Sequence, residues 1–170
     1  MLENKVAVVT GGTRGIGYAI VRKYLEHGMK VILFGSGQET AEKAIASLKK
    51  ENGNWEVEGM WPKLTDAEEV EQAILSIKDK YGRIDILVNN AGISESTSIY
   101  NYTPEIFDKV IDLNVKAVMY AIIPTVKLMK EQGGGCIINT SSMVSRYGQP
   151  SGVAYPTSKF ALNGLTISLA

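Results

Sequence analysis

Tyr155 and Lys159 stand four residues apart in A-Y-P-T-S-K, and Ser142 comes shortly before them in N-T-S-S-M. Residues at i and i+4 share one helix face, so on a helix the phenol and the ammonium are neighbours. A free tyrosine has a pKa of about 10 and is a poor base at neutral pH. A nearby ammonium stabilises the phenolate and lowers that value, which brings general acid–base chemistry into the physiological range. The pair alone is a weak signal, because Y-x-x-x-K arises by chance on many amphipathic helices. A serine hydroxyl at a strand's carboxyl end adds a donor to a carbonyl oxygen on which charge develops. Ser142 is placed for that role, Ser141 competes with it, and a turn role suits either. Asn114 falls in D-L-N-V inside a long helical pattern. Asparagine is a middling helix former, so its position asks for a reason: a water that feeds protons to Lys159, or a local kink.

A second constellation lies near the N-terminus, T-G-G-T-R-G-I-G from Thr10 to Gly17. Between a strand and a helix, Gly11 permits a tight turn, Gly15 lets the backbone approach a pyrophosphate, and Gly17 lets helix and strand pack closely. The helix N-terminus then offers free N–H groups and partial positive charge to the anion. Arg14 faces the phosphates or the solvent. After the second strand comes Gly35-Ser36-Gly37, with no acid before Glu39 to hold two free ribose hydroxyls. Ser36 can donate to a 2′-phosphate and Arg14 can neutralise it, so NADP(H) is favoured and NAD(H) remains possible. Asn89-Asn90-Ala91-Gly92 follows the fourth strand. Its small residues allow a close approach to a ribose, or a turn that ties adjacent strands by amide hydrogen bonds, and both uses are compatible.

These residues need elements to hold them. Strands are expected at 5–10, Lys30–Phe34, 55–61, 84–89 and 136–140. The first helix carries the stripe Ile16, Ile20, Tyr24, Leu25 and ends at Gly28, and the second covers 39–50. Thr65-Asp66-Ala67-Glu68 reads as a capping box for a third, whose Val70, Ala73, Ile74, Ile77 and Tyr81 keep helical spacing. Thr103-Pro104 opens a long helix reaching about Glu131, broken by the glycines at 133–135, and the last helix begins near Val153. Alternating β and α units imply an α/β domain, a doubly wound parallel sheet with helices on both faces. Ligands in such folds bind beyond the carboxyl ends of the strands. The chain ends inside an amphipathic helix without a cap or closing strand. We therefore expect one domain over 1–170, cut within the helix that carries Tyr155, and a sheet incomplete at its C-terminal end.

The composition is that of a globular chain, 45% apolar and 21% charged, with Lys plus Arg equal to Asp plus Glu at 18 each. This excludes disorder and gives no global field for nucleic acid or anionic membrane. No apolar run approaches a membrane span, and no long apolar leader precedes the first strand. A single cysteine, Cys136, excludes an internal disulfide, and a single histidine, His27, excludes a Cys/His zinc cluster. The expectation is a cytoplasmic protein without metal.

Together the segments resemble the short-chain dehydrogenase/reductase family, in its compact single-domain branch with a Rossmann fold. T-G-G-T-R-G-I-G is similar to that family's cofactor loop, which adds Thr13 and Ile16 to the contacts, and N-N-A-G to its fourth-strand motif, which adds Asn90, Ala91 and Gly92. Asn114, Ser142, Tyr155 and Lys159 match its catalytic tetrad in order and spacing. The resemblance implies an NAD(P)-dependent oxidoreductase that interconverts a secondary alcohol and a ketone. Tyr155 is the general acid/base, Lys159 lowers its pKa and holds the ribose, Ser142 orients the carbonyl, and Asn114 carries a relay water. Where the family often has Asp-Val after the third strand, this chain has Lys63-Leu64, so only the backbone of Leu64 is left to meet the adenine. Two segments resemble bacterial hydroxysteroid dehydrogenases, while the Arg14/Ser36 pairing resembles 3-oxoacyl-[acyl-carrier-protein] reductases. In the family the helices around 115–130 and 153–170 form a two-fold interface, which implies a homodimer or homotetramer. The alternative is a dinucleotide-binding relative, or a fragment, without turnover.

Overall fold

The computed structural model describes residues 2–170. Its strands are β1 (Val6–Thr10), β2 (Lys30–Phe34), β3 (Val57–Met60), β4 (Ile86–Asn89) and β5 (Cys136–Asn139). Its helices are α1 (Gly15–Glu26), α2 (Gln38–Glu51), α3 (Ala67–Tyr81), α4 (Pro104–Ile111), α5 (Ala117–Glu131), α6 (Val144–Tyr147) and α7 (Ala154–Leu169). The five strands form one sheet in the order β3-β2-β1-β4-β5, and every pairing is parallel. The chain reverses its winding between β1 and β4, so the crevice beyond their carboxyl ends is the expected ligand position.

Period-2 alternation sorts the strand side chains to two faces. Val6, Val8, Ile32 and Phe34 join one buried cluster with residues of α3, α5 and α7. Ala7, Val9, Val31 and Leu33 join another with residues of α1 and α2. Every residue of β1 is buried, as a central parallel strand covered on both faces requires. On β5, Cys136 and Ile138 are exposed; they pair in register with Ile86 and Val88, which face α1 and α2. At the amino ends of the strands Asp85 accepts from Val6 N (2.9 Å) and from Arg83 Nε (2.9 Å), and it pairs with Lys5 at 3.1 Å. Burial would raise its pKa, but these donors outweigh burial and pull it down to about 2.

Some local expectations shift. Asp66, not Thr65, caps α3, its carboxylate accepting from Glu68 N at 3.0 Å and Glu69 N at 3.2 Å. On α1, Val21 and Leu25 are buried and the expected Ile20 and Tyr24 pack against the same cluster, but Ile16, in the first turn, is 66% exposed and lines the cavity beside the glycine loop. Strand β3 is confined to four residues, and β4 begins at Ile86. The long helix opening at Pro104, with Thr103 extended before it, does run to Glu131 but is interrupted by a π turn at Asp112–Lys116. The short helix α6, too brief to show a period, lies between β5 and α7.

Candidate active site

The glycine loop leaves β1 and turns under α1. Gly11 has φ +64°, and a Cβ there would meet Ala91 Cα at 2.9 Å. A Cβ on Gly17 would fall 2.1 Å from the Gly11 carbonyl oxygen, so only glycine lets the helix approach the turn. Gly15 differs: its φ is +55°, but a Cβ would meet nothing within 4 Å. Its backbone faces open space, as a loop that receives a pyrophosphate requires. Helix α1 has no side-chain cap and no acidic residue in its first turn. Its orphan N–H groups and positive end are left for an anion.

The N-N-A-G turn is stitched to this loop. Thr10 Oγ1 accepts from both Asn90 N and Ala91 N at 3.0 Å, and Asn90 Nδ2 donates to the carbonyls of Thr10 (3.1 Å) and Gly11 (3.2 Å). The side chain of Asn90 thus ties two strand ends together. A cavity of about 610 Å³ opens above the two loops. Gly11, Thr13, Arg14, Gly15, Ile16, Gly17, Ser36, Leu64, Asn90, Ala91 and Gly92 line it, which brings together every expected cofactor contact except Tyr155 and Lys159. Phe34, Gly35, Pro62, Lys63, Thr65, Ile93 and Leu113 complete the wall. Gly35, Lys63 and Thr65 belong to segments already singled out in the sequence, while Phe34, Pro62, Ile93 and Leu113 carried no sequence signal for a place in this wall. A larger groove of about 760 Å³ runs along β3 and α3, past Trp61 and Glu69, but it contains none of the tetrad.

The four expected catalytic residues sit on three parts of the fold: Ser142 on the loop after β5, Asn114 in the π turn, and Tyr155 with Lys159 on α7. Lys159 is 5% exposed; its Nζ donates to the Thr140 carbonyl at 2.7 Å and lies 5.7 Å from the centroid of the Tyr155 ring. No carboxylate pairs with it among the described residues, so burial alone acts on the ammonium and lowers its pKa. An unpaired buried cation costs stability, and such groups collect at functional sites.

The two serines separate clearly. Ser141 Oγ donates to Asn163 Oδ1 at 2.7 Å, and Asn163 Nδ2 donates to Ser145 Oγ at 2.9 Å. Ser142 Oγ has one weak contact, accepting from Val144 N at 3.4 Å, and its own proton is uncommitted. Ser145 Oγ donates to the Ser142 carbonyl at 2.6 Å and fixes the loop.

Asn114 is fully buried in the π turn. Its Nδ2 donates to the Ile93 carbonyl (2.9 Å) and to Ser158 Oγ (3.0 Å), and its Oδ1 accepts from Ile93 N (2.9 Å). The expected local distortion is thus a π turn, a feature that gathers at functional positions, and the side chain bonds to the strap after β4 and to α7. Both amide protons are spent, so a relay water at this side chain must donate to Asn114. Through Ile93, which lines the nucleotide cavity, and Ser158, which precedes Lys159, Asn114 joins the two halves of the site.

A glycine cradle at a β/α switch point, with Ser142, Tyr155 and Lys159 following on the next loop and helix, is the arrangement of a dinucleotide-binding α/β domain. The short chain dehydrogenase family model matches residues 5–170, and the chain belongs to that family. It is 58% identical over 170 residues to a 3alpha-hydroxysteroid dehydrogenase of Mediterraneibacter gnavus, covering all of this chain and 68% of that protein. Among solved structures it is similar to NAD+-bound xylitol dehydrogenase, with TM-score 0.94 and 32% identity over 99% of this chain and 65% of the other. It is also similar to a metagenomic short-chain oxidoreductase in complex with NADP, with TM-score 0.93 and 32% identity over 99% of this chain and 76% of the other. The chain thus spans about two thirds of the length of the first two. No helix among the described residues is long and apolar enough to cross a membrane.

Proposed function

We propose that this protein interconverts a secondary alcohol and a ketone with a nicotinamide dinucleotide held in the β1/β4 crevice. The dinucleotide supplies or accepts the hydride; the protein supplies position and a proton. The observation that carries this reading is the buried, carboxylate-free Lys159 beside the Tyr155 ring. With that ammonium beside its ring, Tyr155 hands its hydroxyl proton to a substrate oxygen and recovers it in the reverse direction. Ser142 Oγ donates to the same oxygen, and the remaining donors of Lys159 Nζ are free for a ribose hydroxyl. Asn114 keeps the strap after β4 and the helix α7 in register, with a relay water donating to it. The backbone of Leu64 meets the adenine.

The substrate we infer is a 3-hydroxysteroid or 3-ketosteroid, in a cytoplasmic setting. The identity to the hydroxysteroid dehydrogenase supports this, as do Met143 (77% exposed), Tyr147 (79%) and Tyr100 (94%) on the segments after β5 and β4, which offer apolar surface to a flat, apolar ligand. NADP(H) is the preferred cofactor, because Arg14 and Ser36 share the cavity wall without an acid. The apolar exposure of Ile123 and Val126 on α5 and Phe160 on α7 supports a homodimer or homotetramer through these helices, which light scattering reads directly.

The test is reduction of a 3-ketosteroid against a panel of other ketones, with NADPH and NADH compared. We expect steroid turnover, preference for NADPH, and a loss of at least ~10²-fold in Tyr155→Phe with nucleotide affinity kept. Full activity of the Phe variant refutes the proton-donor role, and tighter binding of NADH refutes the cofactor assignment.

A further inference from the structure

Helix α7 carries Tyr155 and Lys159 but brings no cap of its own. Its N-cap position is Val153, with no side-chain cap bond, and its first turn has no acidic residue. Four orphan N–H groups and the positive end of a 16-residue helix therefore need a partner from elsewhere. The partner is Glu95, in the strap after β4. Its Oε1 accepts from Ala154 N at 3.2 Å and from the Tyr102 hydroxyl at 2.8 Å, and its Oε2 accepts from Thr97 N at 2.9 Å. The Tyr102 hydroxyl in turn accepts from Ala154 N at 2.9 Å. Burial acts to raise the Glu95 pKa, but the bonds from Thr97, Tyr102 and Ala154 outweigh it and hold the group below its ordinary value, ionised at neutral pH.

The main chain locks the same junction. Gln149 Nε2 bridges the carbonyls of Glu95 (3.1 Å) and Gly152 (3.0 Å), and Gly152 N donates to the Thr97 carbonyl at 2.9 Å. Gly152 has φ +83°, and a Cβ there would lie 2.2 Å from the Glu95 carbonyl oxygen. Two residues before Glu95, Ile93 is held by Asn114 and lines the nucleotide cavity. One strap thus touches the nucleotide cavity at one end and the start of the catalytic helix at the other.

We propose that Glu95 is a positioning residue: it caps α7 across the fold and sets where the Tyr155 hydroxyl stands relative to the bound nucleotide. This rests on Tyr155 acting as the proton donor. Glu95→Ala removes charge and acceptor, while Glu95→Gln keeps the acceptor. Displacing a reacting group by about 1 Å costs on the order of 10²-fold in rate. We expect kcat to fall between about 10- and 100-fold in Glu95→Ala, with nucleotide Kd unchanged within about twofold, and Glu95→Gln to recover most of the loss. Tyr102→Phe, which keeps the ring, should show a smaller fall of the same kind. Independently of activity, amide hydrogen exchange across 153–158 should quicken in Glu95→Ala and return towards wild type in Glu95→Gln. Full kcat and unchanged exchange in Glu95→Ala overturn the proposal. Equal damage in the Ala and Gln variants, with nucleotide affinity lost in both, also overturns it by showing a general role in folding. Should Tyr155→Phe stay active, the proton-donor reading itself fails, and the exchange measurement still decides whether Glu95 caps the helix.

Discussion

The half of the site around the glycine loop and the half proposed to transfer a proton are built by different means. Around β1 and β4 the backbone does the positioning: glycines at 11 and 17 admit contacts that any Cβ would block, and Asn90 closes the seam with main-chain partners. Around β5 and α7 the side chains do it. Lys159 is anchored on Thr140, Ser141 on Asn163, Asn114 on Ile93 and Ser158, and Glu95 on Ala154. A cradle for a large, invariant anion is best made rigid and steric. A set that must move a proton needs donors, acceptors and a charge whose neighbours can tune it. The two constructions should therefore break differently.

The largest effect is expected where sterics rule. Alanine at position 17 gains at most about 1 kcal/mol of helix propensity. Its methyl must displace the Gly11 carbonyl from 2.1 Å or push α1 off the sheet, an overpacking cost of about 3 kcal/mol or more. Because the displaced loop is the cradle itself, Gly17→Ala should weaken nucleotide binding by ~100-fold or beyond, the equivalent of that energy. Fluorescence titration with both nucleotides checks this. Affinity within threefold of wild type would show that the cradle adapts, and would erase the contrast between the halves.

The same contrast explains what the sequence discloses. Steric demands on the backbone are written locally as glycine, so the loop at Gly11–Gly17 and the turn at Asn90–Gly92 are legible in order and spacing. The doubly wound parallel sheet follows from alternating elements, and every observed pairing is parallel, though the strand order itself is not written in the pattern. Asn114 announces itself as an oddity inside a helix, but the π turn around it changes hydrogen bonding without changing the apolar pattern, so the distortion is not legible. Glu95 bonds to a residue 59 positions away, and no local rule connects them. Ile16 misleads for a related reason: periodicity counts an apolar residue without distinguishing a core-facing position from one that faces the nucleotide cavity. Thr65 misleads because the capping signature tolerates a one-residue shift, and Asp66 accepts from the backbone with better reach.

Lys159 tests the other construction through charge. Burial lowers its pKa in the folded protein, whereas the unfolded chain has the ordinary value of about 10.4. Below the depressed value both states are protonated and the folded state bears the full desolvation cost. As pH rises through the window between the two values, the folded protein loses its proton first, the unfolded state binds more protons, and stability rises with pH. Lys159→Met keeps the length of the chain and removes the charge. We expect this variant, free of nucleotide, to melt at a higher temperature than wild type near pH 7, with the gap closing towards pH 10. If the proposed proton transfer uses this cation, turnover should fall by at least ~10²-fold. Melting curves whose separation does not change with pH would remove the electrostatic account of Lys159.

The finest discrimination, with the smallest effect at Ser141, lies between two adjacent hydroxyls. Ser141 and Ser142 share a loop and a chemistry, yet Ser141 Oγ is committed to Asn163 while the Ser142 proton is free. Losing a donor aimed at the reacting oxygen costs on the order of 10²-fold in kcat. Losing one internal hydrogen bond costs about 1 kcal/mol of stability, and an Asn163 oxygen left without its donor can turn to solvent because that side chain is only half-buried. We therefore expect Ser142→Ala to lower kcat steeply with its melting temperature unmoved. Ser141→Ala should lower the melting temperature by a few degrees and leave kcat within about threefold, as expected for a change of about 1 kcal/mol away from the reacting atoms. The two measurements are independent, so the assignment can fail cleanly. If Ser141→Ala is the variant that stops turnover, the loop presents the other hydroxyl during reaction. The Ser141–Asn163 bond would then be a resting contact that the substrate displaces.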